Sequence, residues 1–240
     1  MELPELDPSA FKDLIAHLTD KRIQVNKYRR STGVGRSQCF GMVRKRSQAP
    51  DLSRQSWINP RLHYLLMKFA LTHVTIPFTS VQVNDSYLCA SHKDKHNAGL
   101  SYIVGFGSYT GGELVLKNPN DTDYNIRHRP MLFNGSEIEH YTKPFTGRRF
   151  TLVFHTLVSP PKFPMIRKLE DYEAVTVDGS WVIAYRRPEG TIYLDKKNGL
   201  PHPLRGRKKK AEIEESDENT SLTQAQNLIM KAKKSRPSSA

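Results

Sequence analysis

Four residues set the chemistry open to this chain: His92, Asp94, His140 and Arg149. The first two stand in the run HKD, His140 returns far downstream, and Arg149 lies in the run RRFTLVFHT. Two imidazoles and one carboxylate are the donor set of the facial triad that holds non-haem Fe(II) and leaves coordination positions open. Residues two apart on a strand point to one face. His92 and Asp94 are therefore expected to share a strand face, with His140 supplied by a distant strand of a rolled β-structure. Arg149 offers a planar fork that matches a carboxylate in bidentate geometry. With nine histidines in the chain, an HxD pair on its own means little. The weight lies in the whole constellation, which has strand-like flanks and an arginine in register.

The remaining pattern says what must position these groups. Residues 78–160 alternate in strand fashion, with Val81 and Val83 on one face and Leu152 and Phe154 likewise paired. Upstream, residues 1–20 read as a short helix with Asp7 or Ser9 as cap and Phe11, Leu14, Ile15 and Leu18 as its apolar stripe. A second helix starts after Asn59, with Pro60 at its first position and Leu62, Leu65, Leu66, Phe69 and Ala70 on the buried face. The chain divides into a helical and basic segment at 1–77, a β-core at 78–160, a β-meander at 165–203 and a charged tail at 205–240. Hairpin signals in the meander fall at Asp178-Gly179, Glu189-Gly190 and Asn198-Gly199. The tail, with its opposed charge blocks, has too few apolar residues to offset the entropy of ordering. Gly111 and Gly112 predict a tight hairpin between Tyr109 and Glu113.

The segments FTSVQVNDSYLCASHKDKHNAGLSYIVGFGSYTGGELVL and HRPMLFNGSEIEHYTKPFTGRRFTLVFHT resemble the core of the Fe(II)- and 2-oxoglutarate-dependent dioxygenase superfamily. The likeness runs from about Phe78 to Leu157 and is nearest the TET/JBP-type branch, which oxidises methyl groups of thymine or 5-methylcytosine. It implies a mainly β fold with flanking helices, a double-stranded β-helix (jelly roll, cupin-like) core. It implies that His92, Asp94 and His140 are iron ligands and that Arg149 pairs with the far carboxylate of 2-oxoglutarate. Arg148 is expected on the opposite side of its strand, and Asn84 and Tyr102 are candidates to line the cosubstrate pocket. Some algal relatives use ascorbate instead, so the resemblance leaves the cosubstrate open. Three functions stay open on these residues: a nucleic-acid base dioxygenase, a prolyl or lysyl hydroxylase of proteins with the same iron site, and a binding module that has lost turnover. The intact triad with Arg149 argues against the third.

Composition narrows the setting. A length of 240 residues suffices for one substantial core with appendages. At 37% hydrophobic residues, no window approaches the roughly 20 apolar residues that span a bilayer. The N-terminal run MELPELDPSAFKDLIAHL lacks the basic and apolar regions of a signal peptide. Cys39 and Cys89 are the only cysteines, which suits a reducing compartment. The expected location is intracellular, and nuclear in a eukaryote. Cys89 reads as a buried small hydrophobe rather than a ligand. The net charge is +13, and nine Lys or Arg fall between Lys21 and Arg46 with no acid among them. Together with Tyr28, Phe40 and the glycines at 33, 35 and 41, that segment suits a phosphate backbone. A solvated basic face, or arginines packed inside, are the competing readings. The oligomeric state is left open.

Overall fold

In the computed structural model the described residues are 1–25, 32–45, 48–117, 119–159, 162, 165, 167–187 and 189–194. Twelve strands and three α-helices are described: α1 (Lys12–Asp20), β1 (Gly33–Lys45), β2 (Gln48–Leu52), α2 (Arg54–Ile58), α3 (Pro60–His73), β3 (Ser80–Cys89), β4 (Asn97–Gly111), β5 (Leu114–Lys117), β6 (Thr122–Tyr124), β7 (Met131–Phe133), β8 (Glu139–Thr142), β9 (Phe145–Leu157), β10 (Tyr172–Val177), β11 (Ser180–Arg187) and β12 (Gly190–Leu194). The chain is mainly β. A six-stranded sheet runs in the order β2-β1-β3-β9-β4-β7, and a smaller one in the order β6-β5-β8. The two face each other: Ile103, Met131 and Phe133 of the large sheet pack on Leu114 and Leu116 of the small one. This is the jelly-roll arrangement expected from the sequence. No helix among the described residues is long and apolar enough to cross a membrane.

Strand alternation gives the large sheet two chemically distinct faces. Its outer face carries Val81, Val83, Val104, Phe106, Leu152 and Phe154, all with no exposed surface. Against it lie Phe11, Leu14 and Leu18 of the N-terminal turn and α1, and Leu62, Leu66 and Phe69 of α3. Each such side chain contributes roughly 1.5–3 kcal/mol on full burial. Asp7 is the N-terminal cap, its carboxylate accepting from the Ser9 amide at 2.8 Å. Asn59 caps α3 through the Leu62 amide at 3.4 Å, just before Pro60. A salt bridge at 3.1 Å ties Arg148 to Asp85 on this face, and the same guanidinium donates to the Leu18 carbonyl at 2.8 Å.

Two sequence expectations change here. The core does not begin at residue 78, because β1 pairs with β3 from Gly33↔Cys89 to Gly41↔Ser80 and brings β2 into the same sheet. Gly111 and Gly112 do take left-handed φ angles of 74° and 75°, yet they make no hairpin. β4 pairs with β9, and β5 with β6 and β8, so the two glycines turn the chain from one sheet to the other.

The meander is a three-stranded sheet in the order β10-β11-β12, turned at Asp178-Gly179, where both φ angles are positive. Tyr172, Ala174 and Ile183 pack on Met42 and Leu52, with Tyr64 and Met67 of α3 alongside. Asp51 pins the junction, accepting from the Tyr172 hydroxyl at 2.6 Å and from Arg167 at 3.1 Å. The Asn198-Gly199 signal, the tail at 205–240, and Lys27, Tyr28, Arg29, Arg30 and Arg46 of the basic segment lie outside the described residues.

His63 on α3 is 1% exposed, and neither ring nitrogen has a hydrogen-bond partner among the described residues. Burial holds its pKa down at about 4, against an ordinary value near 6.5. A base whose folded pKa is depressed contributes no penalty above the unfolded value and costs stability as pH falls from there toward the folded value. The fold should therefore lose stability between pH 6.5 and 4, by about 3 kcal/mol from this one group at about 1.36 kcal/mol per unit. His63→Leu should remove that part of the acid sensitivity, measured as urea midpoints at a series of pH values.

Candidate metal centre

The inner face of the large sheet and the small sheet enclose a cavity of about 120 Å³. Unbroken alternation along β9 directs Arg149, Thr151, Val153 and His155 into it. On β3, Gln82 and Asn84 face inward, and then the parity changes. The β1–β3 register shifts between Val34 and Arg36, opposite Ser86, whose φ is 51°. This bulge inserts one residue and re-aims the rest of the strand. Tyr87 and Cys89 therefore line the same cavity as Gln82 and Asn84. Gly35 permits the close approach, since a side chain there would meet the Ser86 carbonyl oxygen at 2.2 Å.

His92, Asp94 and His140 lie together, each with a ligand atom within 4.8 Å of the others. Asp94 is the hub, its two carboxylate oxygens 3.4 Å from His92 Nε2 and 3.7 Å from His140 Nε2. The two histidines are bridged through their backbones: the His92 amide donates to the His140 carbonyl at 3.1 Å, and the reverse bond is 3.0 Å. The expectation of a regular strand under His92 and Asp94 is corrected. β3 ends at Cys89, and the HKD run sits in the β3–β4 connection, held by this bridge and by the Asp94 amide on the Gly135 carbonyl at 2.8 Å.

Ring orientation is fixed too. His92 Nδ1 lies 2.9 Å from the Ala90 carbonyl oxygen, and His140 Nδ1 lies 2.9 Å from that of Ile138. A carbonyl only accepts, so Nδ1 carries the proton and Nε2 is left to ligate, an arrangement that orients metal-binding histidines. Phe133 braces the His140 ring edge-on, centroid to centroid at 4.9 Å. The Asp94 carboxylate, with Cys89 nearby, pushes the His92 pKa up to about 10. A cation entering the site displaces that proton, so metal affinity rises with pH.

Arg149 is 2% exposed, and its Nε has no hydrogen-bond partner among the described residues. Its guanidinium carbon lies 5.6 Å from the ring centroids of both Tyr109 and Phe145. Burial draws its pKa below the ordinary value, although a guanidinium stays charged at neutral pH. Gly112 makes room for it: a side-chain carbon there would stand 2.9 Å from Arg149 Cδ and Nε. Arg148, one residue earlier, faces outward to Asp85.

Asn84 lies in the cavity wall within a polar chain. Gln82 donates to Ser37 at 2.7 Å, Ser37 to Asn84 at 2.6 Å, and Asn84 to Thr151 at 2.8 Å. Tyr102 is not at the site. It lies on the opposite face of β4 with Val104 and Phe106, fully buried, its ring edge-on to Phe154. Cys89 is half-buried rather than a core hydrophobe, its sulfur 3.5 Å from His92 Nδ1. Sequence reasoning misses Tyr87, Thr151 and His155 as cavity residues. The last two are open to it, because they share parity with Arg149 on an unbroken strand.

No protein-family model matches this sequence, and no curated protein is similar to it by sequence. Among solved structures it is similar to NgTET1 in complex with 5mC DNA, at 16% identity and a TM-score of 0.49 over 70% of this chain and 75% of that one. It is also similar to an oxidoreductase of the 2OG-Fe(II) oxygenase family from Burkholderia pseudomallei, at 13% identity and 0.44 over 68% and 87%. A prolyl-4-hydroxylase from Pseudomonas putida gives 14% and 0.42 over 66% and 92%. At this level the likeness is one of backbone course, and the chemistry rests on the side chains described above.

Asp94→Ala should abolish binding of Co(II), used as a spectroscopic stand-in for the metal, while thermal melting stays near that of the parent. Parent-like Co(II) affinity in that variant would remove the triad assignment. Gly112→Ala forces a side chain into a left-handed backbone, at roughly 1–2 kcal/mol, and pushes on Arg149. It should lower the melting temperature and weaken dicarboxylate binding together, read by melting with and without 2-oxoglutarate.

Proposed function

We propose that this chain is a non-haem Fe(II)- and 2-oxoglutarate-dependent oxygenase. The observation that carries the reading is Arg149, a buried cation with an unpartnered Nε in the same cavity as a two-histidine, one-carboxylate cluster. A buried charge with no salt bridge among the described residues is costly and is offset by a counter-charge from a ligand. A dicarboxylate supplies one, with its far end on Arg149 and its other end toward the cluster. Ascorbate has no carboxylate for that fork, so 2-oxoglutarate is the better fit.

The residues fit the metal as well. His92, Asp94 and His140 would hold Fe(II), whose chemistry with 2-oxoglutarate and O2 is oxidation of a substrate C–H bond coupled to decarboxylation of the cosubstrate. The protein's own part is orientation and exclusion of water. Carbonyl-bound Nδ1 atoms preset both imidazoles. Thr151 and Asn84 present fixed polar groups in the cavity wall, and Ile103, Leu114, Phe133 and Val153 supply apolar surface to it.

For the substrate we favour methyl groups of nucleic-acid bases, supported by the net charge of +13. Purified protein with Fe(II) and 2-oxoglutarate should release succinate fastest with oligonucleotides carrying 5-methylcytosine or thymine. Faster release with prolyl or lysyl peptides would instead favour the protein-hydroxylase alternative. Arg149→Ala should weaken 2-oxoglutarate binding by about 1.5–3 kcal/mol, the scale of a hydrogen bond to a charged group, with Co(II) binding retained. Arg148→Ala should instead cost about 3–5 kcal/mol of stability, because it strands Asp85 at 3% exposure. Calorimetry and urea unfolding separate the two, and the reverse pattern would put the cosubstrate on the wrong arginine.

A further inference from the structure

We propose that the segment joining β3 to β4, with Arg44 from β1, forms a cationic rim that grips nucleic-acid phosphates beside the metal centre, a role that rests on the oxygenase reading above. The segment reads SHKDKHN from Ser91 to Asn97. It is irregular yet pinned. Besides the His92–His140 bridge, the Asn97 amide donates to the Asp94 carbonyl at 2.9 Å, and the Val158 amide donates to the His96 carbonyl at 2.9 Å. Asp94 turns inward to the two histidines, and Lys93 and Lys95 on either side of it are exposed. Arg44 is also exposed, with Nη1 3.1 Å from His96 Nδ1. The same hydrogen bonds that place the ligands thus place the cations.

The cavity reaches solvent at this segment, where the His92 and Asp94 side chains keep 16% and 21% exposure. The acids nearby are already engaged: Asp94 faces the histidines, and Glu139 accepts from Ser91 at 2.6 Å and from Lys117 at 3.0 Å. Among the described residues no carboxylate forms an ion pair with Lys93, Lys95 or Arg44. An enzyme acting on a base must draw the nucleotide out of its stack, so backbone phosphates flanking that nucleotide meet the rim of the cavity. The described cations of the basic segment from Lys21 to Arg46 differ in their course. Its Arg36 turns in to the Ile23 carbonyl at 3.1 Å, and Arg44 is the described member that reaches the rim.

The test is equilibrium binding of a fluorescent duplex with a central 5-methylcytosine to the full chain over a salt series. Removing one phosphate-binding cation should make the log–log slope less negative by about 0.9. Arg44→Gln, Lys93→Gln and Lys95→Gln should each move it by that amount, and the triple variant by about 2.7. Lys68→Gln, on α3, should not move it. A Co(II) titration of each variant reports that the centre still assembles, and the single variants keep the test readable if the triple variant misfolds. Unchanged slopes in all three single variants, or tighter binding of an acidic peptide than of the duplex, would overturn the rim. Succinate release by the unmodified chain tests the oxygenase reading separately: duplex binding without any succinate would overturn that reading and leave the rim standing.

Discussion

Two backbone hydrogen bonds between His92 and His140 are the constraint on which the site depends. The first histidine leaves the end of β3, and the second sits on β8 of the small sheet. Joined as an antiparallel pair, they give that sheet a further, one-residue partner and fix how far apart the sheets stand at the metal end. Asp94 is carried into place two residues later, and the connection to β4 is short enough that it has little other course. Metal site and fold closure are one local event.

Elsewhere in the same cavity the governing term is the opposite one, a charge that forms no salt bridge among the described residues. Arg149 is surrounded by the Tyr109 and Phe145 rings and by the bare backbone of Gly112. Such an environment keeps the guanidinium from collapsing onto a protein carboxylate, as Arg148 does on Asp85 across the sheet. Neighbouring arginines on one strand thus have contrasting fates. One is used up in holding α1 to the sheet, and the other is kept in reserve for a ligand.

How much of this is legible in the chain depends on whether the strand period is intact. β9 has no bulge, so the parity that puts Phe154 outward puts Arg149 inward, and alternation alone reveals it. On β4 the register shifts between Ala98 and Tyr102, and a tyrosine fits either a polar pocket or an apolar core, so pattern reading misplaces Tyr102. On β3 the bulge at Ser86 reverses the parity ahead of Tyr87 and Cys89, and no composition signal marks it. β1 is legible only in part: the polar–apolar alternation at Arg36 and Gln38 reads as a strand feeding the core, but its glycines and other arginines suit a surface segment, although Phe40 and Met42 are fully buried. Gly112 shows its backbone freedom but not its second role, because the side chain it makes room for comes from β9, far along the sequence.

The meander on the far side of α3 shares its interior with the jelly roll. Its buried side chains meet Met42 and Leu52, and Tyr64 and Met67 of α3 are packed against both clusters. α3 is therefore a wall common to two rooms rather than the outer surface of one. A chain cut after β9 would not shed a detachable appendage. It would bare an apolar face on β1, β2 and α3, and the truncated product would be prone to self-association. The smallest piece of this protein worth expressing, or inheriting, extends through β12.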